Sequence, residues 1–503
     1  MLSLISDRRT ELVRCFIAST FLCGAIPTAE AFILGSPEFE PWQTTASGSR
    51  SGNGQAVTLT WSIIPDNTTT PGLNPPPVGS DFIDFLDDAY NIPNFQRTSD
   101  LTQREWFEVV EQPFERWSEI SGINFVYEPN DDGTAIGAFG SGGGALGTRG
   151  DIRLGGRAID GPSGTLAFAF LPSGSFSDGD VVFDTADTGF FSNPVANNLP
   201  LRQVIAHELG HSLGLEHVES NTDGLLLEPI ISLGFDGPQL DEVRAAHFFF
   251  GDIHEQSNNN QGNETAALAT SLGLLSSGVT RSIGTDADVP TQFISADATD
   301  FVSISNLDDT DFFSFTVDSP GRLDVTLTPH GGQFAQGSEG TVPTPFNADN
   351  RSNLSFDVID TDGSTVLAAV NNGAAGISDV LEDLELADSG EYFIRITGAA
   401  DTIQLYQLDL ELMIAPTGDL NGDGIVDAGD FTAFASSFGS TAGGFADGNS
   451  DGVVNAADFT IFRDSISSAS GVVLPVSAVP EPTTGLLVSL AAAAITFPRK
   501  RRR

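Results

Sequence analysis

The segment from His207 to His217 constrains this chain more than any other, because it holds three of the six histidines. Positions four apart share one face of a helix, so His207 and His211 can direct their rings toward one metal ion. Gly214 readily takes the left-handed conformation that ends a helix, which lets His217 turn back as a third ligand. Three imidazoles with an open fourth position are typical of a catalytic zinc site rather than a closed structural one.

Glu208 follows the first of these histidines and is not needed as a ligand. A carboxylate beside bound zinc can take a proton from water and pass it to a leaving amine. Glu208 is therefore the predicted general base of a peptide-bond hydrolysis. The alternative is a metal site that kept its ligands and lost its activity, and the retention of Glu208 favours the catalytic interpretation.

With this motif and its flanks, the chain resembles the matrixin group of metzincin metalloproteases over roughly residues 55 to 252, a normal size for one domain. Residues 104–128 are similar to the first long helix and following strand of that family, and residues 241–251 to its closing helix. The resemblance implies an α+β domain with a twisted, mostly parallel sheet and long helices. Leu227 stands where the family carries a methionine beneath the zinc. We expect this leucine to form the apolar floor of the site, because the two side chains have similar volumes.

Residues 151–187 resemble the matrixin segment that holds structural ions. The resemblance implies calcium held by oxygen ligands, with these candidate residues: Asp160, Gly161, Asp184 and Asp187. Asp180 is a candidate ligand of a second calcium ion. A solvated turn surface is the alternative interpretation of these acidic residues. The positions that match the family's structural zinc ligands hold no suitable donor: Arg153, Gly155, Phe168 and Val182. We therefore predict one zinc ion in this domain.

Residues 165–169 alternate as a strand does, and the resemblance places them at the edge of the sheet above the cleft. An extended peptide could add there through main-chain hydrogen bonds, which suits a protease that acts on unstructured polypeptide.

The composition limits the class of partner. The formal net charge is -46, with 68 acidic and 22 basic residues, so the surface repels nucleic acid and attracts cations. Both cysteines, Cys15 and Cys23, lie in an N-terminal segment with basic residues, a short apolar run and a small-residue cleavage pattern. We interpret residues 1–31 as a signal peptide, with a short membrane anchor as the alternative. The mature, exported chain would then rely on calcium rather than on disulfides.

The zinc domain is predicted to span residues 32–254, and a polar linker, residues 255–262, follows it. Short alternating strands separated by turns then predict an all-β sandwich over residues 263–413. This pattern resembles the bacterial pre-peptidase C-terminal domain, a family that accompanies secreted peptidases. We identify no catalytic constellation in the sandwich segment.

Residues 417–468 contain a duplicated calcium-loop motif in which each copy leads into an apolar helix face. The predicted ligands occupy matching positions in the two copies: Asp419, Asn421, Asp423, Ile425 and Asp430, then Asp447, Asn449, Asp451, Val453 and Asp458. The segment resembles a type I dockerin, a small α-helical calcium module that binds cohesin domains. A cohesin-like partner and a calcium-dependent stability module without a partner remain alternatives.

Residues 479–503 combine a Pro-Glu-Pro motif, a short apolar run and a basic tail, and together they resemble the PEP-CTERM sorting signal. The resemblance implies transient membrane anchoring, recognition by sorting machinery, and an extracellular or bacterial cell-surface location. A permanent C-terminal anchor is the alternative.

These features predict a secreted or cell-surface zinc metalloendopeptidase that uses Glu208 as the general base. The competing hypothesis is a catalytically weak or inactive surface or assembly protein that displays the sandwich and the calcium modules. The replaced methionine and the missing structural zinc ligands would fit the second hypothesis, whereas the complete histidine motif favours the first.

Overall fold

The computed structural model describes residues 2–7, 12–17, 32–33, 41–50, 52–71, 77–136, 143–172, 179–414, 416–441, 444–449 and 451–468. The chain divides into two compact units, each with its own apolar core. The first unit contains the histidine motif and most of the β-rich segment that follows it. The second contains Ser319–Arg322, Glu385–Asp388 and the described residues from Met413 onward.

The N-terminal part of the first unit alternates strands and helices. Its strands are β1 (Leu2–Asp7), β2 (Leu12–Ile17), β3 (Thr44–Thr45), β4 (Gly48–Ser49), β5 (Val57–Ile63), β6 (Thr69–Thr70), β7 (Val78–Gly79), β8 (Ile123–Tyr127), β9 (Ile152–Arg157), β10 (Thr165–Ala169), β11 (Val181–Asp184), β12 (Val218–Ser220) and β13 (Ile230–Ile231). Its helices are α1 (Phe82–Ala89), α2 (Phe107–Glu119), α3 (Thr188–Phe191), α4 (Leu199–Ser212), α5 (Leu240–Phe250) and α6 (Ser257–Asn260), with short 3-10 turns at Asn94–Gln96, Leu101–Gln103 and Ile253–Gln256.

Eight of these strands form one sheet in the order β13-β2-β1-β10-β11-β9-β5-β8. Strands β8, β5, β9 and β11 run parallel, whereas β10 is antiparallel to β11, and β1, β2 and β13 continue the antiparallel half. The sheet is therefore mixed, and the expectation of a mostly parallel sheet holds only for the half that contains β9.

Helix α4 carries the first two histidines through the middle of the domain. All of its residues except Arg202 are buried, so the helix lies inside the domain rather than with one face in solvent. Helix α2 packs against it, and the indole nitrogen of Trp117 donates to the carbonyl of Ala206 at 3.1 Å. Trp61 on β5 stacks on Phe114 with 4.2 Å between ring centroids, which holds α2 against the sheet. Helix α2 thus connects the helix that bears the site to the sheet.

The segment predicted as a polar linker, residues 255–262, packs against the end of α2 and the start of β8. The side-chain amide of Gln256 donates to three carbonyls, those of Ser118, Ser121 and Ile123, at 2.8 to 3.0 Å. Glu255 is buried. These contacts place the two segments that flank residues 255–262 in one compact unit.

The β-rich segment of the first unit has two main sheets, as predicted for a sandwich. Its strands are β14 (Thr270–Leu274), β15 (Thr280–Ile283), β16 (Val302–Ile304), β17 (Thr310–Val317), β18 (Gly321–His330), β19 (Gln333–Ser338), β20 (Thr344–Asn347), β21 (Leu354–Ile359), β22 (Val366–Val370), β23 (Asp379–Leu386), β24 (Gly390–Gly398) and β25 (Gln404–Ile414), with 3-10 turns at Ala266–Leu268 and Thr285–Ala287. One sheet has the order β14-β17-β24-β21-β22 and the other β15-β25-β18-β23, with β16 also on β25. Burial alternates strictly along β18, as a strand with one solvated face requires.

Strands β19 and β20 form a hairpin that belongs to neither main sheet. They build a three-stranded sheet with β12, the strand that directly follows His217, in the order β12-β19-β20. The hairpin therefore connects the β-rich segment to the immediate surroundings of the histidine motif.

The second unit contains helices α7 (Ala428–Ser437) and α8 (Ala456–Ser468). Their aromatic residues Phe434 and Phe462 are buried, and Phe431 and Phe459 pack against the same small core. These are the apolar helix faces that the repeated motif predicts after each loop.

Both predicted targeting segments lie largely or wholly beyond what the structure describes. Of residues 1–31, the structure describes β1 and β2, and the predicted sorting signal at residues 479–503 lies outside the described residues. Among the helices that are described, none combines the length and the hydrophobicity needed to cross a bilayer.

Candidate metal centre

His207 and His211 lie one turn apart on α4 and direct their rings to the same place. Their Nε2 atoms are 3.0 Å apart, and their ring centroids are 4.7 Å apart. Each ring uses its Nδ1 atom for a backbone carbonyl, His207 with Leu226 at 2.6 Å and His211 with Leu215 at 2.7 Å. An Nδ1–H that donates to a carbonyl leaves the Nε2 lone pair available for a metal ion.

His217 completes the group as the sequence predicts. Helix α4 ends at Ser212, and Gly214 adopts a φ of 104°, which reverses the chain toward the site. The ring of His217 lies 4.8 Å from that of His211 and 5.5 Å from that of His207. Its Nε2 atom is buried and, among the described residues, has no hydrogen-bond partner. Three buried imidazoles with ligand atoms within 4.8 Å of one another fit a zinc ion by number, chemistry and spacing.

Burial determines the protonation of this group. It lowers the pKa of His207 to about 3, the pKa of His211 well below its ordinary value, and the pKa of His217 in the same direction. All three rings are therefore neutral at physiological pH, the state in which imidazole binds metals. Burial also raises the pKa of Glu208 well above its ordinary value. Among the described residues, none donates a hydrogen bond to either oxygen of this carboxylate.

Leu227 lies beneath α4, where the expected apolar floor should be. It is buried, and its side chain packs so closely against Gly210 that a Cβ atom there would approach the Leu227 side chain to 2.7 Å. Glu242 on α5 holds this turn, because its carboxylate accepts from the backbone N–H of Leu227 at 3.1 Å and of Gln239 at 2.9 Å. The sequence alone does not identify Glu242, since its partner lies 15 residues away in a loop without regular pattern.

A carboxylate from the sandwich segment also reaches the centre. The Oε2 atom of Glu339 lies 3.0 Å from Nδ1 of His217. Sequence reasoning did not identify Glu339, which is 122 residues from His217 and belongs to no recognisable motif.

Two of the predicted calcium residues of the zinc domain, Asp184 and Asp187, bind the loop at residues 159–165 through its backbone. Asp184 accepts from the backbone N–H groups of Ile159 and Asp160 at 3.0 and 3.1 Å, and Asp187 accepts from that of Ser163 at 2.6 Å. Burial raises the pKa of Asp184, and it raises the pKa of Asp187 to about 6, as it does for carboxylates held near one another without a cation. Gly161 adopts a φ of 92° in this loop. Calcium binding here stays a prediction.

Asp180 contacts the neighbouring strand instead of this loop. One of its oxygens accepts from the backbone N–H of Arg153 at 3.0 Å. Its proposed role at a second calcium ion likewise stays a prediction.

The positions of the family's structural zinc are filled by apolar packing. Phe168 and Val182 are buried together with Ile64 and Ile136. A Cβ atom on Gly155 would meet the side chain of Ile64 at 2.4 Å. The guanidinium of Arg153 pairs instead with Asp131 at 2.7 Å. This part of the fold is stabilised by burial and an ion pair. The presence of a single zinc ion stays a prediction.

A second group of potential metal ligands consists of Glu255, Asp309 and Asp311. Their carboxylate oxygens lie within 4.8 Å of one another, and among the described residues only this group and the histidines place three such ligand atoms so close. All three are buried, and one oxygen each of Asp309, Asp311 and Asn263 has no hydrogen-bond partner in the described structure. Oxygen-only donors of this kind suit calcium. The Asp308–Asp311 run at the start of β17 is the sequence signal that could have revealed this cluster.

The two loops of the second unit are organised alike. The carboxylate of Asp430 accepts from the backbone N–H groups of Leu420, Asn421 and Asp427, at 2.6 to 3.1 Å. Asp458 accepts from those of Asn449 and Asn455, at 3.1 and 2.7 Å.

The other predicted ligands line the same turns. The carboxylate of Asp419 accepts from the backbone N–H of Gly424, and that of Asp447 accepts from the backbone N–H of Gly452, both at 2.7 Å. The same pair of contacts occurs in both loops. The side-chain amide of the asparagine donates to the carboxylate of the aspartate two residues later, and the backbone N–H of that aspartate donates to the asparagine side-chain oxygen, as in Asn421 with Asp423 and Asn449 with Asp451. Ile425 and Val453 follow with exposed side chains. The structure thus brings the predicted loop residues together in two equivalent turns.

Three segments match models of known families. Residues 86–242 match the Matrixin model, residues 309–398 the Bacterial pre-peptidase C-terminal domain, and residues 417–467 the Dockerin type I domain. These matches confirm the resemblances predicted for the three segments. At the family level they indicate a metalloprotease domain, with zinc implied by the first segment and calcium by the last.

Individual relatives cover only part of the chain. Interstitial collagenase of Equus caballus is 36% identical over 141 residues, which is 28% of this chain and 26% of the relative. Matrix metalloproteinase-18 of Xenopus laevis is 33% identical over 167 residues, 32% of either chain. This chain therefore spans between about a quarter and a third of the length of these relatives.

The solved structure of the pre-peptidase C-terminal domain of a collagenase from Bacillus anthracis aligns at 15% identity over 28% of this chain and 94% of that chain. Its TM-score of 0.17 is too low to support a conclusion about the fold.

Proposed function

We propose that this chain is a secreted or cell-surface zinc-dependent metalloendopeptidase. The observation that carries the proposal is the convergence of three buried, neutral imidazoles beside a buried carboxylate that accepts no hydrogen bond from the described residues. The matrixin match supports the metalloprotease class, and the 33 to 36% identity to matrix-degrading enzymes supports a protein or peptide substrate.

In this proposal, His207, His211 and His217 hold the zinc through their Nε2 atoms. A zinc ion bound there supplies a Lewis acid that polarises the scissile carbonyl and lowers the pKa of water toward neutrality. Glu208 accepts a proton from the attacking water and then donates it to the departing nitrogen. The buried position of Glu208 suits this exchange, because desolvation raises its proton affinity.

The edge of β10 is the proposed binding site for an extended substrate. In the structure this edge pairs antiparallel with β1, in the register Leu2 with Ala169 and Ser3 with Phe168. An extended chain therefore fits the edge through main-chain hydrogen bonds. A substrate would require β1 to leave, as it would if residues 1–31 are removed as the predicted signal peptide.

Calcium is proposed as a structural ion at several places, including the carboxylates around Asp160 and the two loops of the second unit. The Dockerin type I match supports a cohesin-like partner for residues 417–468. Export, followed by transient anchoring through the C-terminal segment and its sorting machinery, completes the proposed location at the cell surface or outside it.

The mechanism is tested by Glu208→Gln in the full chain. This substitution removes the base and keeps the side-chain volume, so hydrolysis of unfolded casein should fall by about 100- to 10,000-fold. The zinc content should remain one ion per chain. Glu105→Gln, the same chemical change at an exposed position of the same domain, should leave the rate unchanged.

A chelator added in the presence of excess calcium should also abolish hydrolysis, and added zinc should restore it. If the Glu208→Gln chain hydrolyses casein at the original rate, the proposed mechanism is wrong. If the unaltered chain binds zinc but hydrolyses nothing in a broad peptide library, the inactive assembly protein is the better interpretation.

A further inference from the structure

The hairpin of β19 and β20 adds to the strand that follows the third histidine. Strand β12 pairs antiparallel with β19, with Val218 opposite Ser338 and Ser220 opposite Gln336. Continued by one step, this register places His217 opposite Glu339. The pairing of backbones thus determines which side chain of the sandwich segment meets the histidine.

The contact between these two residues is direct. Oε2 of Glu339 lies 3.0 Å from Nδ1 of His217, and the histidine side chain is fully buried, whereas that of Glu339 is 33% exposed. The next residue, Gly340, donates its backbone N–H to the carboxylate of Glu219 at 3.2 Å. The turn of the hairpin is therefore attached to both sides of the segment that carries the third ligand.

The three histidines differ in what holds their Nδ1 atoms. His207 and His211 use carbonyls close to them in the domain, whereas His217 uses a carboxylate from a different part of the chain. A partner on Nδ1 fixes the tautomer and the ring orientation, and a carboxylate also raises the basicity of the other nitrogen. Of the three rings, His217 is the one that lies outside the rigid helix α4, so its orientation depends most on such a partner.

We propose that Glu339 is a positioning residue for His217, so that the docked hairpin of the sandwich completes the zinc centre. This inference rests on the proposed zinc-dependent function, because it assigns Glu339 a role through one of the three ligands. The catalytic segment alone would hold two ligands rigidly and the third without its charged partner. Zinc affinity should therefore depend on a residue outside the matrixin match at residues 86–242.

The test measures the zinc dissociation constant of the full chain by competition with a chromophoric chelator. Glu339→Ala should weaken zinc binding by about 10- to 100-fold, the range found when the hydrogen-bond partner of a metal ligand is removed. Glu339→Gln should weaken it less, because the amide oxygen still accepts from Nδ1–H. Glu219→Gln is the matched control, since it removes the neighbouring negative charge of the same interface without touching the ring, and its effect should be smaller than that of either variant.

The melting temperature of the zinc-free proteins separates positioning from general stability. We expect Glu339→Gln and the unaltered protein to have the same melting temperature when zinc is absent. When zinc is limiting, the melting temperature of Glu339→Gln should be the lower of the two. Equal zinc affinity of the unaltered, Glu339→Ala and Glu339→Gln proteins would overturn it. So would equal losses in Glu339→Gln and Glu219→Gln, because these would point to charge or docking in general. If Glu339→Ala does not fold, Glu339→Gln alone carries the test.

His217→Ala distinguishes this failure from a failure of the proposed function. If His217→Ala binds zinc as tightly as the unaltered chain, the three-histidine centre itself is wrong. If His217→Ala loses zinc affinity and both Glu339 variants keep it, the centre stands and only the role of Glu339 is rejected.

Discussion

At the scale of single residues, the centre depends on how each neighbour is held as much as on the ligands themselves. Leu227 shows this, because its backbone is fixed by Glu242 while its side chain fills the space beneath Gly210. A floor of this kind contributes shape rather than chemistry. Its replacement should therefore be tolerated according to volume.

We predict that Leu227→Met changes the free energy of unfolding by less than about 1.5 kcal/mol, because the two side chains have nearly equal volumes. Leu227→Ala should cost about 2–5 kcal/mol through the cavity it leaves beneath α4. Urea unfolding of the zinc-loaded chain measures both. If the alanine variant is as stable as the methionine variant, Leu227 does not support the helix.

The residues that carry the chemistry could be predicted from the sequence, because they lie within one local motif. The spacing of His207, Glu208 and His211 is that of a helix, and a glycine before His217 signals the turn. Glu242 and Glu339 could not be predicted in this way. Their contacts join residues 15 and 122 positions apart through a folded loop and a hairpin, and no local pattern encodes those distances.

At the scale of elements, the two loops of the second unit are features that the sequence predicts from a local pattern. Each loop ends in an aspartate that accepts backbone N–H groups from both ends of the turn, as Asp430 and Asp458 do. The duplicated spacing predicts both loops and both helices α7 and α8. Sequence could not predict the mixed sheet of the first unit, because strand direction depends on which neighbours pair.

We predict that Asp430→Ala removes one calcium ion per chain and unfolds α7 in part. The substitution deletes the last predicted ligand of the first loop and leaves three backbone N–H groups without a charged acceptor. A hydrogen bond to a charged group contributes about 1.5–3 kcal/mol to stability. Isothermal titration calorimetry with calcium measures the number of bound ions, and circular dichroism measures the loss of helix. Asp458→Ala should remove a second ion independently, and the double variant should lose two.

Thr432→Ala is the control for this prediction. Thr432 lies exposed on α7, and its hydroxyl donates only to the carbonyl of Ala428 within the same helix. Its removal should leave the calcium stoichiometry unchanged. An unaltered stoichiometry in Asp430→Ala as well would mean that the first loop binds no calcium.

At the scale of the whole first unit, several acidic side chains lie buried close to one another. Burial raises the pKa of Glu255 to about 10 and those of Asp309 and Glu264 to about 7, and neighbouring carboxylates add to each shift. These groups come from the predicted linker and the first part of the sandwich segment. A bound cation would allow them to ionise together, whereas without one they retain protons that the unfolded chain releases.

The sign of the pH dependence follows from this difference. An unfolded glutamate has a pKa of about 4.3, so near pH 8 the folded chain without calcium binds a proton at Glu255 that the unfolded chain does not. Stability should then fall as pH rises, by up to about 1.4 kcal/mol per pH unit for one such proton. The window from pH 8 to 9 is informative because an unfolded histidine, whose pKa is about 6.5, is almost fully neutral there.

We predict that the zinc-loaded chain in calcium-free buffer loses stability between pH 8 and 9, and that calcium reduces the loss. Glu255→Gln should reduce it as well, because the amide does not titrate, and should also weaken stabilisation by calcium. Glu382→Gln, the same change at an exposed position of the sandwich, should behave like the unaltered chain. Thermal unfolding of the three proteins across the window, with and without calcium, measures these effects. If Glu255→Gln leaves the pH dependence of stability unchanged, the titrating proton lies on another group. If calcium stabilises Glu255→Gln as much as the unaltered chain, its effect comes from the other calcium loops.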